Sequence, residues 1–378
     1  MEHPSRLPGY PGKPRVAVVF GGRSSEHAVS CATAASVMAA IDADAYDVIP
    51  IGITPEGKWV LESGDADRLA LTADHVPQVD ASATAVLVSN DPSRREIVVA
   101  EPGQTPHVLG AVDVVFPLLH GPWGEDGTIQ GLFETGGIRY VGSGVLASAV
   151  GMDKQYMKVV LAAAGLPVTP YVVVKPRDWD NDRAACRESV GALGYPVFVK
   201  PARGGSSLGI SKASVADELD AGVEHARTFD PKVLVETAAV GARELECGVL
   251  ERADGGADAS VVAEITGYGD PVFYDFAAKY LGEEGVTLEV PANLRPEVVA
   301  EVQRQSVAAF EALGCEGLAR VDFFLASDGR LSVNEINTMP GFTPSSMYPR
   351  MWAESGVGYR ELVERLIALA SNRSTGLR

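Results

Sequence analysis

The sequence predicts an α/β protein that opens with a parallel, helix-flanked sheet and continues into smaller α+β units. Three observations predict it. Residues 15–20 form an unbroken β-prone run of the kind buried on both faces of a parallel sheet, followed by Gly21-Gly22 and an alanine-rich helical stretch to about Ile41. A second such run, 112–118, ends in the glycine-dense loop His120-Gly121-Pro122-Trp123-Gly124-Glu125-Asp126-Gly127. Beyond residue 230 the runs shorten and alternate in the manner of antiparallel strands, at 232–236, 243–250 and 261–266.

The chain as a whole bounds the answer. Its 378 residues suffice for two or three units with proper cores. A net charge of −18 argues against nucleic acid or an anionic membrane as partner, since both reward basic patches. Cys31, Cys186, Cys247 and Cys315 are far apart and form no CxxC pair, so neither zinc nor a disulfide framework is expected. No run approaches the ~18 apolar residues of a membrane helix, and 1–14 reads as a loose Pro/Gly-rich tail without a signal-peptide core. A cytoplasmic location is the expectation.

In order, the first strand and glycine turn deliver Ser24-Ser25-Glu26-His27 to a helix N-terminus, the entry unit of a parallel sheet and its ligand-binding edge. The pattern is not GxGxxG, which weakens a dinucleotide or oxidoreductase reading. Glu26 is either an acid favoured by the helix dipole or an anionic hook for an ammonium. Strands are predicted at 47–53, 58–61, 84–88 and 96–99, and the segment 62–80 is poorly periodic. In the loop after 112–118, His120 either hydrogen-bonds backbone or faces a ligand. One α/β domain is expected over 15–143.

A single helix is predicted from about 146 to 164, with Lys154 on its exposed side one turn from Lys158, and Gly165-Leu166-Pro167 stops it. A strand at 170–174 and a helix at 183–193 follow. The strand ending in Lys200 runs into Pro201-Ala202-Arg203-Gly204-Gly205-Ser206-Ser207. Small residues let backbone N–H groups close over phosphate oxygens, and Lys200 supplies a point charge. The bland alternative is a flexible hairpin with a snorkelling lysine. A central unit over 144–236 and a C-terminal unit over 237–378 are expected.

The aromatic loop Phe273-Tyr274-Asp275-Phe276-Ala277-Ala278-Lys279-Tyr280 has the length of a lid, and a helix is expected at 296–313. Then comes the hairpin around which the chain is organised. Two alternating β-prone runs flank Asp328-Gly329, the dipeptide favoured in a two-residue type I′ turn. Pairing Ser327 with Arg330 places Asp322 opposite Glu335 and Arg320 opposite Asn337, all on one face. Opposed carboxylates require a cation. Two carboxylates and an amide oxygen suit Mg²⁺, and the alternative is a solvated polar face neutralised by Arg320.

The ordered set GGRSSEHAVS, HGPWGEDG, Met152-Asp153-Lys154, VKPARGGSSLG, Glu236 and Glu244, FYDFAAKY, RVDFF and NEINTMPGFTPSSMYP resembles the D-alanine–D-alanine ligases of the ATP-grasp superfamily, from Arg15 to the C-terminus. The resemblance implies three lobes, with ATP between the central and C-terminal ones. It implies Mg²⁺ or Mn²⁺, two ions per site, on Asp322, Glu335 and Asn337. Lys154 and Lys200 would contact the α/β-phosphates and Lys279 the γ-phosphate, with Ser206, Ser207, Thr237 and Asn334 also at the nucleotide. Glu236 and Glu244 would hold adenine and ribose. Glu26 would take the first D-alanine's ammonium, near His120, and Ser206 would bond Tyr280 of the lid. Ser346 and Met347 would receive the second D-alanine, with Arg320 and Gly341 facing the oxyanion. A homodimer, and the joining of two D-alanines through an acyl phosphate, are implied likewise. Gly204, Ala28 and Thr237-Ala238-Ala239 depart from the family pattern. A D-alanine–D-lactate ligase and a non-catalytic ATP-binding regulator are the alternatives; Tyr280 and the retained lysines speak against them.

Overall fold

The computed structural model describes residues 12–72, 74–100, 105–266 and 287–375. Three sheets organise them. The first holds Arg15–Gly21 (β1), Asp47–Ile53 (β2), Trp59–Leu61 (β3), Ala85–Val88 (β4), Glu96–Ala100 (β5), His107–Ala111 (β6) and Val114–Pro117 (β7), in the order β6-β5-β4-β3-β2-β1-β7. Only β2, β1 and β7 run parallel; β3 to β6 add on as an antiparallel meander, so the sheet is mixed where an all-parallel one was expected. The parallel strands are the apolar ones, and Ala17, Val18, Val19 and Phe20 are fully buried.

The second sheet holds Tyr171–Val174 (β8), Val197–Pro201 (β9), Ser211–Ala213 (β10) and Val233–Thr237 (β11) in the order β10-β9-β11-β8. The third holds Arg243–Glu251 (β12), Ala257–Thr266 (β13), Thr287–Glu289 (β14), Leu318–Leu325 (β15) and Leu331–Asn337 (β16), in the order β14-β13-β12-β15-β16. The five are antiparallel throughout.

Two packing features position the cleft. The C-terminal helix Tyr359–Asn372 turns Leu362, Val363, Leu366, Ile367 and Ala370 onto the core that holds Val16, Val18 and Phe116 of the first sheet. Phe342 is fully buried in that same core, against Phe116, Tyr348 and Tyr359 at ring separations of 6.0, 5.8 and 5.8 Å. The loop after β16 is thereby held at the carboxyl ends of β1 and β7.

The single helix expected over 146–164 is two, Val145–Met152 and Lys154–Ala163. Asp153 breaks it: its extended backbone and its carboxylate, accepting from the N–H groups of Gln155 and Tyr156, cap the second helix. Lys154 donates its own N–H to the Ala202 carbonyl at 2.9 Å. Met157 and Leu161 of this helix pack with Leu245, Phe310 and Ile336 of the third sheet's layer.

The hairpin reaches the expected register by a different route. Asp322 does lie opposite Glu335, and Arg320 opposite Asn337. The reversal takes one residue more than the two-residue turn expected: the Ala326 N–H donates to the Arg330 carbonyl across a three-residue loop, with Gly329 at φ +84°. That loop shifts the pairing by one, to Leu325 opposite Leu331, and a bulge at Asn334 shifts it back.

Candidate active site

The carboxyl ends of β1 and β7, the loop after β9 and the face of β15 and β16 wall one cleft. Its lining includes Glu26, His120, Glu125, Lys154, Gly204, Gly205, Ser206, Arg320, Glu335, Asn337 and Gly341.

On the first-sheet side, Glu26 occupies the N-cap position of helix His27–Ala40 without capping it. Its carboxylate instead accepts from the Ser206 hydroxyl of the loop after β9. Ser206 and Ser207 carry φ of +50° and +56°, a left-handed conformation rare for residues with a Cβ and concentrated at functional sites. His120 is buried and its Nδ1 lies 3.1 Å from the Met339 carbonyl, so Nδ1 carries the proton. Its Nε2 has no hydrogen-bond partner among the described residues. Burial pushes the imidazole pKa down, more than the nearby Glu26 raises it. Beside it, Glu125 accepts from the Gly121 N–H at 2.8 Å and the Met339 N–H at 3.1 Å. Burial, reinforced by Glu26, pushes Glu125 up to about 8.

On the hairpin side, Arg320 donates Nε and Nη2 to the two oxygens of Asp322, both at 2.7 Å, and lies 3.4 Å from Glu246. Burial opposes its charge, but Asp322 and Glu246 outweigh that and hold its pKa well above the ordinary value. The Asn337 amide donates to Asp322 at 3.0 Å. Lys154 bonds the Gly204 carbonyl at 2.9 Å and Glu335 at 3.1 Å, and is largely buried rather than exposed as expected. The positive partners of the opposed acids are thus Arg320 and Lys154.

Deeper in the wall, Glu236 is buried between two ammonium groups, Lys158 at 2.7 Å and Lys200 at 2.5 Å. Burial disfavours its charge, yet the two lysines hold it at about 2, and Glu236 in turn raises Lys200. Lys200 also lies 3.5 Å from the Asn334 Oδ1, which the bulge presents to it.

Other predicted residues lie outside the lining of the cleft, though Glu244 still helps to raise Lys200. Thr237 ends β11 and donates its N–H to the Pro170 carbonyl, while Glu244 lies on β12 opposite Phe324. Ser346 bonds Thr343 at 2.7 Å and starts the helix Met347–Glu354, whose Met347 is buried; neither lines the cleft. Lys279 and Tyr280, and with them the Ser206–Tyr280 bond, lie outside the described residues. Glu125 and Lys158 are the charged groups sequence reasoning did not select. A lysine amid Met157, Val159, Val160 and Leu161 was the available signal for one, and an acid in a glycine-dense loop for the other.

A mixed sheet, two antiparallel sheets and a cleft lined with Lys154, Arg320 and carboxylates have the architecture of the ATP-grasp superfamily. Comparison with known proteins narrows this. Residues 15–143 match the family described as D-ala D-ala ligase N-terminus, and 160–368 match D-ala D-ala ligase C-terminus. The chain is 59% identical over 374 residues to the D-alanine--D-alanine ligase of Streptomyces griseus, covering 97% of this chain and 95% of that one. It is 58% identical over 373 residues to that of an Arthrobacter species, covering 98% and 97%. Among solved structures it is similar to the VanG D-Ala:D-Ser ligase of Enterococcus faecalis, at TM-score 0.82 and 35% identity, covering 95% of this chain and 100% of that one. The D-alanine-D-alanine ligase of Coxiella burnetii gives 0.79 and 32%, covering 96% and 94%. The chain belongs to the D-alanine–D-alanine ligase family.

Proposed function

We propose that this protein joins two D-alanines into D-alanyl-D-alanine at the expense of ATP, supplying a precursor of the bacterial cell wall. The observation that carries the reading is the convergence of Glu26, Arg320, Gly341 and Lys154 on one cleft, in a chain with full-length relatives of that name.

A carboxylate is a poor electrophile, so it must be activated. The first D-alanine's carboxylate oxygen attacks the γ-phosphorus of ATP, the bond to ADP breaks, and an acyl phosphate forms. Glu26 meets the ammonium of that substrate, and Lys200 and Lys154 lie against the other phosphates. The second D-alanine's neutral amine then attacks the acyl carbon and loses its proton, and phosphate leaves. Asp322 engages Nε and Nη2 of Arg320 and so orients the guanidinium, which together with the Gly341 N–H meets the tetrahedral oxyanion. Catalysis is positioning and electrostatics, without a covalent enzyme intermediate.

Magnesium fits the donors by their chemistry. Asp322 and Glu335 are directly opposed in the hairpin register, and Asn337 adds an amide oxygen. Among the described residues no cluster of three or more His, Cys, Asp or Glu forms a closed metal site, which suits an ion that takes one or two carboxylates and completes its shell with phosphate and water. Bound there, the ion would screen the charge of the triphosphate.

The test is a coupled ADP-release assay with D-alanine, L-alanine, D-serine and D-lactate as substrates. D-alanine alone should drive turnover. ADP release only when D-lactate or D-serine is added would move the second-substrate assignment, and ATP binding without any D-alanine-dependent turnover would make the protein a nucleotide-binding regulator.

A further inference from the structure

Lys158 is fully buried on the helix Lys154–Ala163, and the mechanism above makes no use of it. A lysine carried to zero exposure has to be compensated. Its Nζ lies 2.7 Å from one oxygen of Glu236 and 3.5 Å from the Asn334 carbonyl. The other oxygen of Glu236 takes Lys200 at 2.5 Å. Lys200 and Glu236 are diagonal neighbours on one face of the β9–β11 pair, so the sheet itself sets their approach. One carboxylate therefore serves two ammonium groups at contact distance, with Glu335 and Glu244 as weaker acids around Lys200. An ammonium that shares its carboxylate keeps part of its charge for an arriving anion. Of the two lysines, Lys158 is sealed and Lys200 retains some exposure.

We propose that Lys158 is a positioning residue for the nucleotide: by sharing Glu236 it keeps the Lys200 ammonium from being neutralised within the wall and leaves it to the phosphates. The inference rests on the reading of the cleft as an ATP site. It also changes the part of Glu236, whose carboxylate is spent on the lysines rather than on adenine.

The test uses the full chain with Lys158→Met, which keeps length and bulk and removes the charge, Glu236→Gln, and the double variant. Apparent KM for Mg·ATP and for D-alanine are measured in the ADP-release assay, and ADP affinity by calorimetry. In Lys158→Met, Glu236 pairs with Lys200 alone. KM for ATP and the Kd for ADP should rise about tenfold to a hundredfold, the worth of a charge-assisted phosphate contact, with a smaller fall in kcat and no change in KM for D-alanine. The double variant restores a lone positive Lys200 and should recover nucleotide affinity to within about threefold of wild type. A role confined to propping up the fold predicts the reverse, with the double variant at least as impaired as the worse single one. That result, or an unchanged nucleotide affinity in Lys158→Met, would overturn the proposal. Where Lys158→Met does not fold, Glu236→Gln and the double variant are compared: the double must bind ADP more tightly, and the opposite order sinks the idea. Wild type that binds ADP but lacks D-alanine-dependent turnover refutes the ligase reading alone, and Lys158 is still judged by ADP affinity. Wild type that binds no nucleotide refutes both.

Discussion

Glu125 makes the most quantitative prediction. Its carboxyl spans from the Gly121 N–H to the Met339 N–H and is pushed from an ordinary 4.5 up to about 8, first by burial and then by Glu26. Between those two pH values the folded protein holds a proton that the unfolded chain releases. Stability from this group is therefore complete below pH 4.5 and is lost as pH rises toward 8. At about 1.36 kcal/mol per unit, the full shift is worth about 5 kcal/mol; the carboxyl is only partly closed to water, so about half, 2–3 kcal/mol, is the working figure. With an unfolding entropy of about 2.1 cal/mol/K per residue, a chain of this length loses roughly 3 °C of Tm over that span. Glu125→Gln does not titrate, and its amide offers one acceptor to two N–H groups. The variant should start about 1–3 kcal/mol less stable at pH 5, and the gap to wild type should close by roughly 3 °C by pH 8. Differential scanning calorimetry from pH 5 to 8 measures both. Parallel Tm curves would show that Glu125 does not carry this proton.

Three further outcomes follow from the geometry. Lys200→Ala and Glu335→Ala should each cut D-alanine-dependent phosphate release more than about a hundredfold while circular dichroism stays native, and near-normal turnover in either would count against the assignment. Ser206→Ala removes the hydroxyl that bonds Glu26 and should raise KM for D-alanine well above any change in KM for ATP; an equal rise in both would place Ser206 elsewhere in the mechanism. Phe342→Ala empties a fully buried site against three aromatic rings, which should cost about 3–5 kcal/mol and lower Tm by about 4–6 °C, and a loss under 1 °C would mean the loop around Gly341 is not held by this packing.

What the sequence disclosed, it disclosed through local patterns. Alternation on either side of Asp328-Gly329 was enough to face Asp322 with Glu335, and an apolar run followed by two glycines was enough to put Glu26 at a strand's carboxyl end. The pairing came out correct although the turn did not, because the longer loop and the bulge at Asn334 displace the register in opposite senses. Nothing local announces a bulge whose residue is an ordinary polar one. Lys158 was legible as a lysine one turn from Lys154, but its burial is decided by the third sheet's layer packing over that helix, far along the chain. The same holds for Glu236, whose partners come from β9 and from a helix some 80 residues earlier.

The contacts that close the cleft are the long-range ones. Glu26 meets Ser206, His120 meets Met339 and Lys200 meets Asn334 across 180, 219 and 134 residues. Each functional acid is held by a charge or dipole: Glu26 by a hydroxyl and Glu335 by Lys154 of another wall, Asp322 by Arg320 of its own strand. A substrate ammonium arriving at Glu26, or a phosphate arriving at Lys154, replaces a partner instead of desolvating a bare ion. The cost of burying these charges is met mainly by the fold before any ligand binds, and little reorganisation remains for the moment of reaction. That is why an acid such as Glu125, with no cationic partner at hydrogen-bond distance among the described residues, is the one driven toward neutrality, while Glu236 with two lysines is driven the other way. The opposite fates of these two glutamates follow from how each wall is paired.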